Sequence, residues 1–281
     1  MLSLFDVGDR VAITRPGYPA YRNILAALGL QAVEIEVNAD TGFTLSPQAL
    51  EDAAKTHGNI AGVLLASPAN PTGTVTGRTA LKALVDYCDA LEIAFLSDEI
   101  YHGLNYTGDD TTALSLSDNA VIINSFSKYY CMTGWRIGWM VLPEIMIRPV
   151  ERLAQSLYIS PPELSQFAAC AAFSASAELE AIKQGYRLNR ELLMQRLPQI
   201  GFDIASPMDG AFYAYVDASR HTNDTMQFSK TMLNEINVAA TPGRDFDPVE
   251  GHRMLRFSYA GSMDEMVAAL DRMEAWLVKA N

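Results

Sequence analysis

The chain has 281 residues, 49% hydrophobic and 19% charged, with a formal net charge of −12 and a pI near 4.7. This composition excludes global disorder and collagen-like structure and supplies material for a large core. The acidic balance and the lack of any apolar run near the roughly 18 residues of a membrane helix mean that neither nucleic acid nor a membrane is an expected partner.

Met1-Leu2-Ser3-Leu4-Phe5-Asp6 lacks the basic start of a signal peptide. Cys88, Cys131 and Cys170 form no CxxC, and the four histidines show no metal-site spacing, so no metal is expected. A reducing cytoplasm is the expected compartment.

In chain order, residues 11–13, 32–37, 60–66, 93–96 and 120–123 are short apolar runs that read as strands. Ser46-Pro47 reads as a helix N-cap followed by proline at the first helical position. Residues 79–91 put Leu81, Leu84, Val85, Cys88 and Leu91 on one helical face. Strand, helix and strand in quick succession imply βαβ units and a largely parallel sheet. Between residues 123 and 137 there is no room for a crossover helix, so a strand over 136–142 is expected to run antiparallel. A long helical stretch follows Pro143, breaks at Pro161-Pro162 and resumes to about Phe173. Then come a helix over 186–197, a strand over 211–216, a helix over 225–236 and a strand over 254–258. A last helix is capped by Ser262 with Glu265 three residues on. The reading is an α/β fold: a large domain, 1–175, with a mostly parallel sheet and one antiparallel strand, and a smaller C-terminal α/β domain, 176–281.

Four segments at strand ends stand out, because ligands in open parallel sheets collect at the carboxyl ends of strands. Ser67-Pro68-Ala69-Asn70-Pro71-Thr72-Gly73 reads most plainly as a turn, but it would also hold the Asn70 amide over a crevice. Asp98, in Ser97-Asp98-Glu99-Ile100-Tyr101, follows an apolar strand and should be sheltered, so it needs a cationic or hydrogen-bonding partner. Tyr101 reaches the same region. Lys128, in Asn124-Ser125-Phe126-Ser127-Lys128, is by default a surface lysine. Flanked by hydroxyls, between apolar strands and eight positions before Arg136, it also suits a lysine of depressed pKa acting as an amine nucleophile. Arg256, flanked by Leu255 and Phe257 in a strand, reads either as an edge residue facing water or as a fork for a carboxylate.

Together the Asn-Pro-Thr-Gly, Ser-Asp-Glu-Ile-Tyr, Ser-Phe-Ser-Lys and Gly-Trp-Arg-Ile-Gly segments resemble those of the class I/II aminotransferases of fold type I, which use pyridoxal 5′-phosphate (PLP). The resemblance extends over essentially the whole chain. It implies that Lys128 carries the cofactor as a Schiff base and then moves the substrate proton. Asp98 would pair with the ring nitrogen, and Asn70 and Tyr101 with the ring's phenolic oxygen. Arg136, Ser125 and Ser127 would hold the phosphate. Tyr18, in Pro16-Gly17-Tyr18-Pro19, would stack on the ring. Arg256, helped by Asn70, would bind the substrate carboxylate. The implied reaction moves an amino group between an L-amino acid and a 2-oxo acid in a ping-pong sequence, in a homodimer. The family carries about a hundred further residues ahead of the segment matching Val7-Gly8-Asp9, more than loop variation supplies. The chain therefore reads as an aminotransferase lacking its N-terminal region. A PLP-dependent C–S β-lyase shares Lys128, Asp98 and Arg256 and is the alternative, as is a fragment with little activity.

Overall fold

The computed structural model describes residues 1–280. Six strands form the first sheet: β1 (Arg10–Arg15), β2 (Gln31–Glu36), β3 (Gly62–Ala66), β4 (Ala94–Asp98), β5 (Val121–Ser125) and β6 (Gly138–Val141). Their order is β2-β1-β3-β4-β5-β6. All neighbours are parallel except β5 and β6, where Ser125 faces Gly138 and Ile122 faces Val141 in an antiparallel ladder. The short connection after β5 thus returns the chain as a hairpin-like edge. The antiparallel strand is shorter than 136–142. Arg136 has φ 52° at the end of a tight turn, and that left-handed backbone cannot join the ladder.

Helices α1 (Pro19–Ala27), α2 (Pro47–His57), α3 (Arg78–Ala90) and α4 (Glu144–Leu157) cover this sheet. Ser46 caps α2 by accepting a hydrogen bond from the Ala49 amide at 3.1 Å. Leu81, Leu84, Val85 and Cys88 of α3 are buried as the periodicity predicts; Leu91 lies past the helix end and is exposed. One core layer packs α2 and α3 residues on Ala12, Val63 and Ile122. The other packs Leu25 of α1 and Met146 of α4 on Val11, Leu96 and Val121. Alternate residues of one strand serve opposite layers.

After α5 (Glu163–Ala172) comes α6 (Ser176–Gln199), which contains and extends the helix expected over 186–197. It begins after Ala175 with no capping side chain, so no start signal marks its first turns. The second sheet has the order β7-β8-β10-β9 and is antiparallel: β7 (Asp203–Ile204), β8 (Tyr213–Asp217), β9 (Thr241–Pro242) and β10 (Met254–Ser258). The expected strand over 211–216 starts later, because Ala211 is left-handed at φ 58°. Helices α6, α7 (Thr225–Ile236) and α8 (Met263–Ala280) pack their apolar faces on β8 and β10. The Ser262–Glu265 capping box opens α8, with the Ser262 amide donating to Glu265 at 3.0 Å.

The two sheets meet through backbone. Gly210 N–H donates to Gly73 O at 2.8 Å, and Ala211 N–H donates to Leu104 O at 2.8 Å. Gly73 has φ 67°, and a Cβ there would lie 2.9 Å from Gly210 O. Only glycine permits that approach. Among the described residues no helix is long and apolar enough to cross a membrane, and no cluster of His, Cys, Asp and Glu could hold a metal ion.

Candidate active site

The chain turns from β1 toward β2 on one side and toward β3, β4 and β5 on the other. This reversal opens a crevice at the carboxyl ends of the strands. Tyr18 follows β1, Asn70 follows β3, Asp98 ends β4, and Ser125 ends β5 just before Lys128. The second sheet brings Arg256 to the same crevice on β10.

Asp98 is 8% exposed. Tyr21 of α1 donates to its Oδ2 at 2.5 Å, and the Ile100 amide donates to Oδ1 at 3.2 Å. Burial pushes its carboxyl pKa up; the two hydrogen bonds and the nearby Lys128 charge oppose that shift. The same enclosure, with Asp98 beside it, drives the Tyr21 phenol well above its ordinary value, so Tyr21 is a standing donor.

Tyr101 is buried, and its hydroxyl lies 2.8 Å from that of Tyr213 at the start of β8. Burial raises the pKa of both phenols. The Lys128 amine lies 5.6 Å from the Tyr101 ring centroid and 5.8 Å from that of Phe212. It makes no hydrogen bond or ion pair among the described residues. Burial lowers its pKa, and the Arg256 and Arg136 charges lower it further. A lysine so placed offers its neutral amine at lower pH than a surface lysine does.

The Arg256 guanidinium is held between two rings, 4.2 Å from the centroid of Tyr213 and 4.6 Å from that of Phe246. It donates to Asn70 Oδ1 at 2.7 Å and to Thr241 Oγ1 at 3.2 Å. Its Nε is buried without a partner. That is a cationic fork with a donor left over for an anion.

Ser125 and Ser127 share one turn: the Ser127 amide donates to Ser125 Oγ at 3.0 Å, and the two hydroxyls lie 3.0 Å apart. Phe126, between them, anchors the turn against Tyr130 and Trp139. Arg136 is exposed and donates to Thr133 O at 3.0 Å, with its remaining donors uncommitted among the described residues. Tyr18 is 41% exposed and meets Tyr21 edge-on, with centroids 5.4 Å apart.

The structure thus gathers Asn70, Asp98, Tyr101, Lys128 and Arg256 tightly, while Ser125, Ser127, Arg136 and Tyr18 line the more open rim. Tyr21, Phe212, Tyr213, Thr241 and Phe246 were not singled out from sequence. Tyr21 had a signal, since it lies three residues past Tyr18 in the first turn of a helix that begins where a parallel strand ends. Phe246 and Thr241 had none: they reach Arg256 only through the β10–β9 pairing and a turn.

A family model described as aminotransferase class I and II matches residues 1–273. The valine–pyruvate aminotransferase of Mycobacterium tuberculosis is 46% identical over 280 residues, which is 98% of this chain and 71% of that protein. A solved aminotransferase structure from the same organism superimposes with a TM-score of 0.94 at 46% identity, covering 99% of this chain and 72% of the other. The Thermus thermophilus aspartate aminotransferase solved with maleate gives a TM-score of 0.89 at 29% identity, covering 97% and 71%. These relatives carry aminotransferase names, which favours amino transfer over elimination. The chain belongs to the class I and II aminotransferases, PLP enzymes of fold type I that move an amino group between an amino acid and a 2-oxo acid.

Proposed function

We propose that the crevice between the two sheets is the aminotransferase site, with Lys128 as the amine that carries PLP. One observation carries this reading. A half-buried, unbonded amine faces an aromatic floor, with a buried carboxylate on one side and an incompletely satisfied arginine fork on the other.

The donor set fits the cofactor. Asp98 suits a protonated ring nitrogen, and Asn70 and Tyr101 suit the phenolic oxygen. Ser125, Ser127 and Arg136 suit the phosphate, for which the always-charged guanidinium is apt. Tyr18 is the ring that would stack at the mouth. Arg256 is left for the substrate carboxylate, oriented by Asn70. Bound there, PLP supplies an electron sink for the pair released at the substrate α-carbon.

The chain's own residues do the rest. Asp98 keeps a positive charge at the ring nitrogen, and Tyr21 holds that carboxylate in place. Lys128 would take the proton from the substrate α-carbon as general base and deliver it, as general acid, to the cofactor carbon that bears the nitrogen, a role its depressed pKa favours. Arg256 fixes the carboxylate and so the direction of the Cα–H bond, which converts binding into orientation.

For the substrate pair we take an aliphatic L-amino acid and pyruvate, on the 46% identity to the valine–pyruvate enzyme. We divide the chain near residue 175, into a cofactor-binding part, 1–175, and a smaller part, 176–281. A homodimer is our reading of its assembly, supported by the exposed Ile145, Leu157, Leu164 and Phe167 on α4 and α5. Three unpaired thiols support a cytoplasmic setting.

The test is direct. Purified chain is titrated with PLP, and absorbance is recorded for wild type and Lys128→Ala. A lysine-dependent band that L-valine bleaches and pyruvate restores is expected. A wild-type spectrum no different from that of Lys128→Ala overturns the proposal.

A further inference from the structure

The hydroxyls of Tyr101 and Tyr213 are 2.8 Å apart in a buried setting, so one must donate to the other. A phenol has one proton. If Tyr101 spends its proton on Tyr213, it has none to offer the crevice. If Tyr213 donates to Tyr101, the Tyr101 proton is free to point into the site. The Tyr213 ring has a second task, since the Arg256 guanidinium lies 4.2 Å from its centroid. Tyr213 opens β8 opposite Ser258 of β10, two residues beyond Arg256. One side chain from the second sheet therefore touches both the group assigned to the cofactor and the group assigned to the substrate.

We propose that Tyr213 is a positioning residue for the reaction: its hydroxyl sets the direction of the Tyr101 proton, and its ring face holds the Arg256 fork. The proposal rests on the site assignment made above. Its two halves separate by substitution. Tyr213→Phe removes the hydroxyl and keeps the ring. Tyr213→Leu removes both. Neighbouring groups that also bear on these phenols are Tyr18, Asp98 and Arg256, and neither variant replaces any of them.

A weaker Tyr101 donor leaves more negative charge on the oxygen it faces, and a nearby nitrogen then holds its proton more tightly. Tyr213→Phe is expected to raise the pH midpoint of the Lys128-dependent PLP absorbance by about half a pH unit, the order of one neutral hydrogen bond. Tyr213→Leu is expected to raise the KM for L-valine at least about threefold above that of Tyr213→Phe, the loss of a partly desolvated cation–π contact.

A third arm needs no cofactor. In the apo-protein, the Tm losses of Tyr101→Phe and Tyr213→Phe should not add. The double variant should lose less than the two singles together by about 2 °C, the coupling expected of one shared hydrogen bond in a chain of this size. Additive losses, or an unmoved absorbance midpoint in Tyr213→Phe, overturn the hydroxyl half. Equal KM values for the Phe and Leu variants overturn the ring half. If wild type shows no Lys128-dependent band, the site assignment falls, and the apo cycle alone decides whether the two phenols are coupled.

Discussion

Deleting the Tyr21 hydroxyl should weaken PLP binding. In Tyr21→Phe, Asp98 keeps only the Ile100 amide at 3.2 Å, and its Oδ2 is left without a donor in a site 8% exposed. A hydrogen bond to a charged group contributes about 1.5–3 kcal/mol, or about 10-fold to 150-fold in an equilibrium that requires the anion. On the proposed site assignment, the protonated ring nitrogen of PLP would pair with the same carboxylate and offset part of that loss, so we expect about a tenfold weaker affinity. The burial that raises the Asp98 carboxyl would act with less opposition, since Tyr21 is the largest opposing cause. The loss should therefore grow as pH falls, because a carboxyl of higher pKa is protonated sooner. The assay is a PLP titration followed by the lysine-dependent absorbance between pH 5 and 9, with Phe and wild type in parallel. An affinity within twofold of wild type at every pH would refute the argument that Tyr21 sustains the Asp98 anion.

Three further predictions concern the same crevice. Asp98→Asn should stabilise the apo-chain at neutral pH, read as a higher Tm. The folded pKa of Asp98 is raised, so above 3.8 the folded state binds more protons than the unfolded one and stability falls as pH rises through that window. The advantage of Asn should vanish toward acid pH, where wild type is protonated. Arg256→Lys should raise the KM for the amino acid at least about tenfold with a smaller effect on kcat, because an ammonium cannot keep the Asn70 and Thr241 contacts and also grip a carboxylate with a planar fork. Gly73→Ala should cost about 1–3 kcal/mol by denaturant unfolding, since it adds a Cβ at φ 67°, 2.9 Å from Gly210 O. An unchanged midpoint there would mean that the sheet junction yields.

The first sheet was legible because its strands are buried on both faces and read as continuous apolar runs, as in 60–66 and 93–96. The antiparallel β6 followed from connection length alone. β7 and β9 were not legible: each has two residues, too short for any period. Among candidate residues, Asn70, Asp98 and Lys128 were legible because each ends an apolar strand or lies within four residues of its end. Arg256 was found because a charge interrupts one. Tyr21 and Tyr213 were missed for the opposite reason. An aromatic side chain on a helix or strand reads as core, and its polar tip matters only once the carboxylate or phenol it meets is known. Phe246 belongs to a turn whose position is set by the Gly17 amide donating to Phe246 O across 3.1 Å, a contact between residues 229 positions apart in sequence.

The junction at Gly73 and Gly210 bears on how enzymes of this design diversify. The separation between the cofactor end and the carboxylate clamp is fixed by main chain meeting main chain, with Asn70 three residues before one glycine and Tyr213 three residues after the other. Side chains brace that spacing as well, through the Arg256–Asn70 and Tyr101–Tyr213 hydrogen bonds. Crevice residues that make no contact across the junction can therefore be exchanged for a new substrate while the backbone bonds at Gly73 and Gly210 keep the reach of the scaffold.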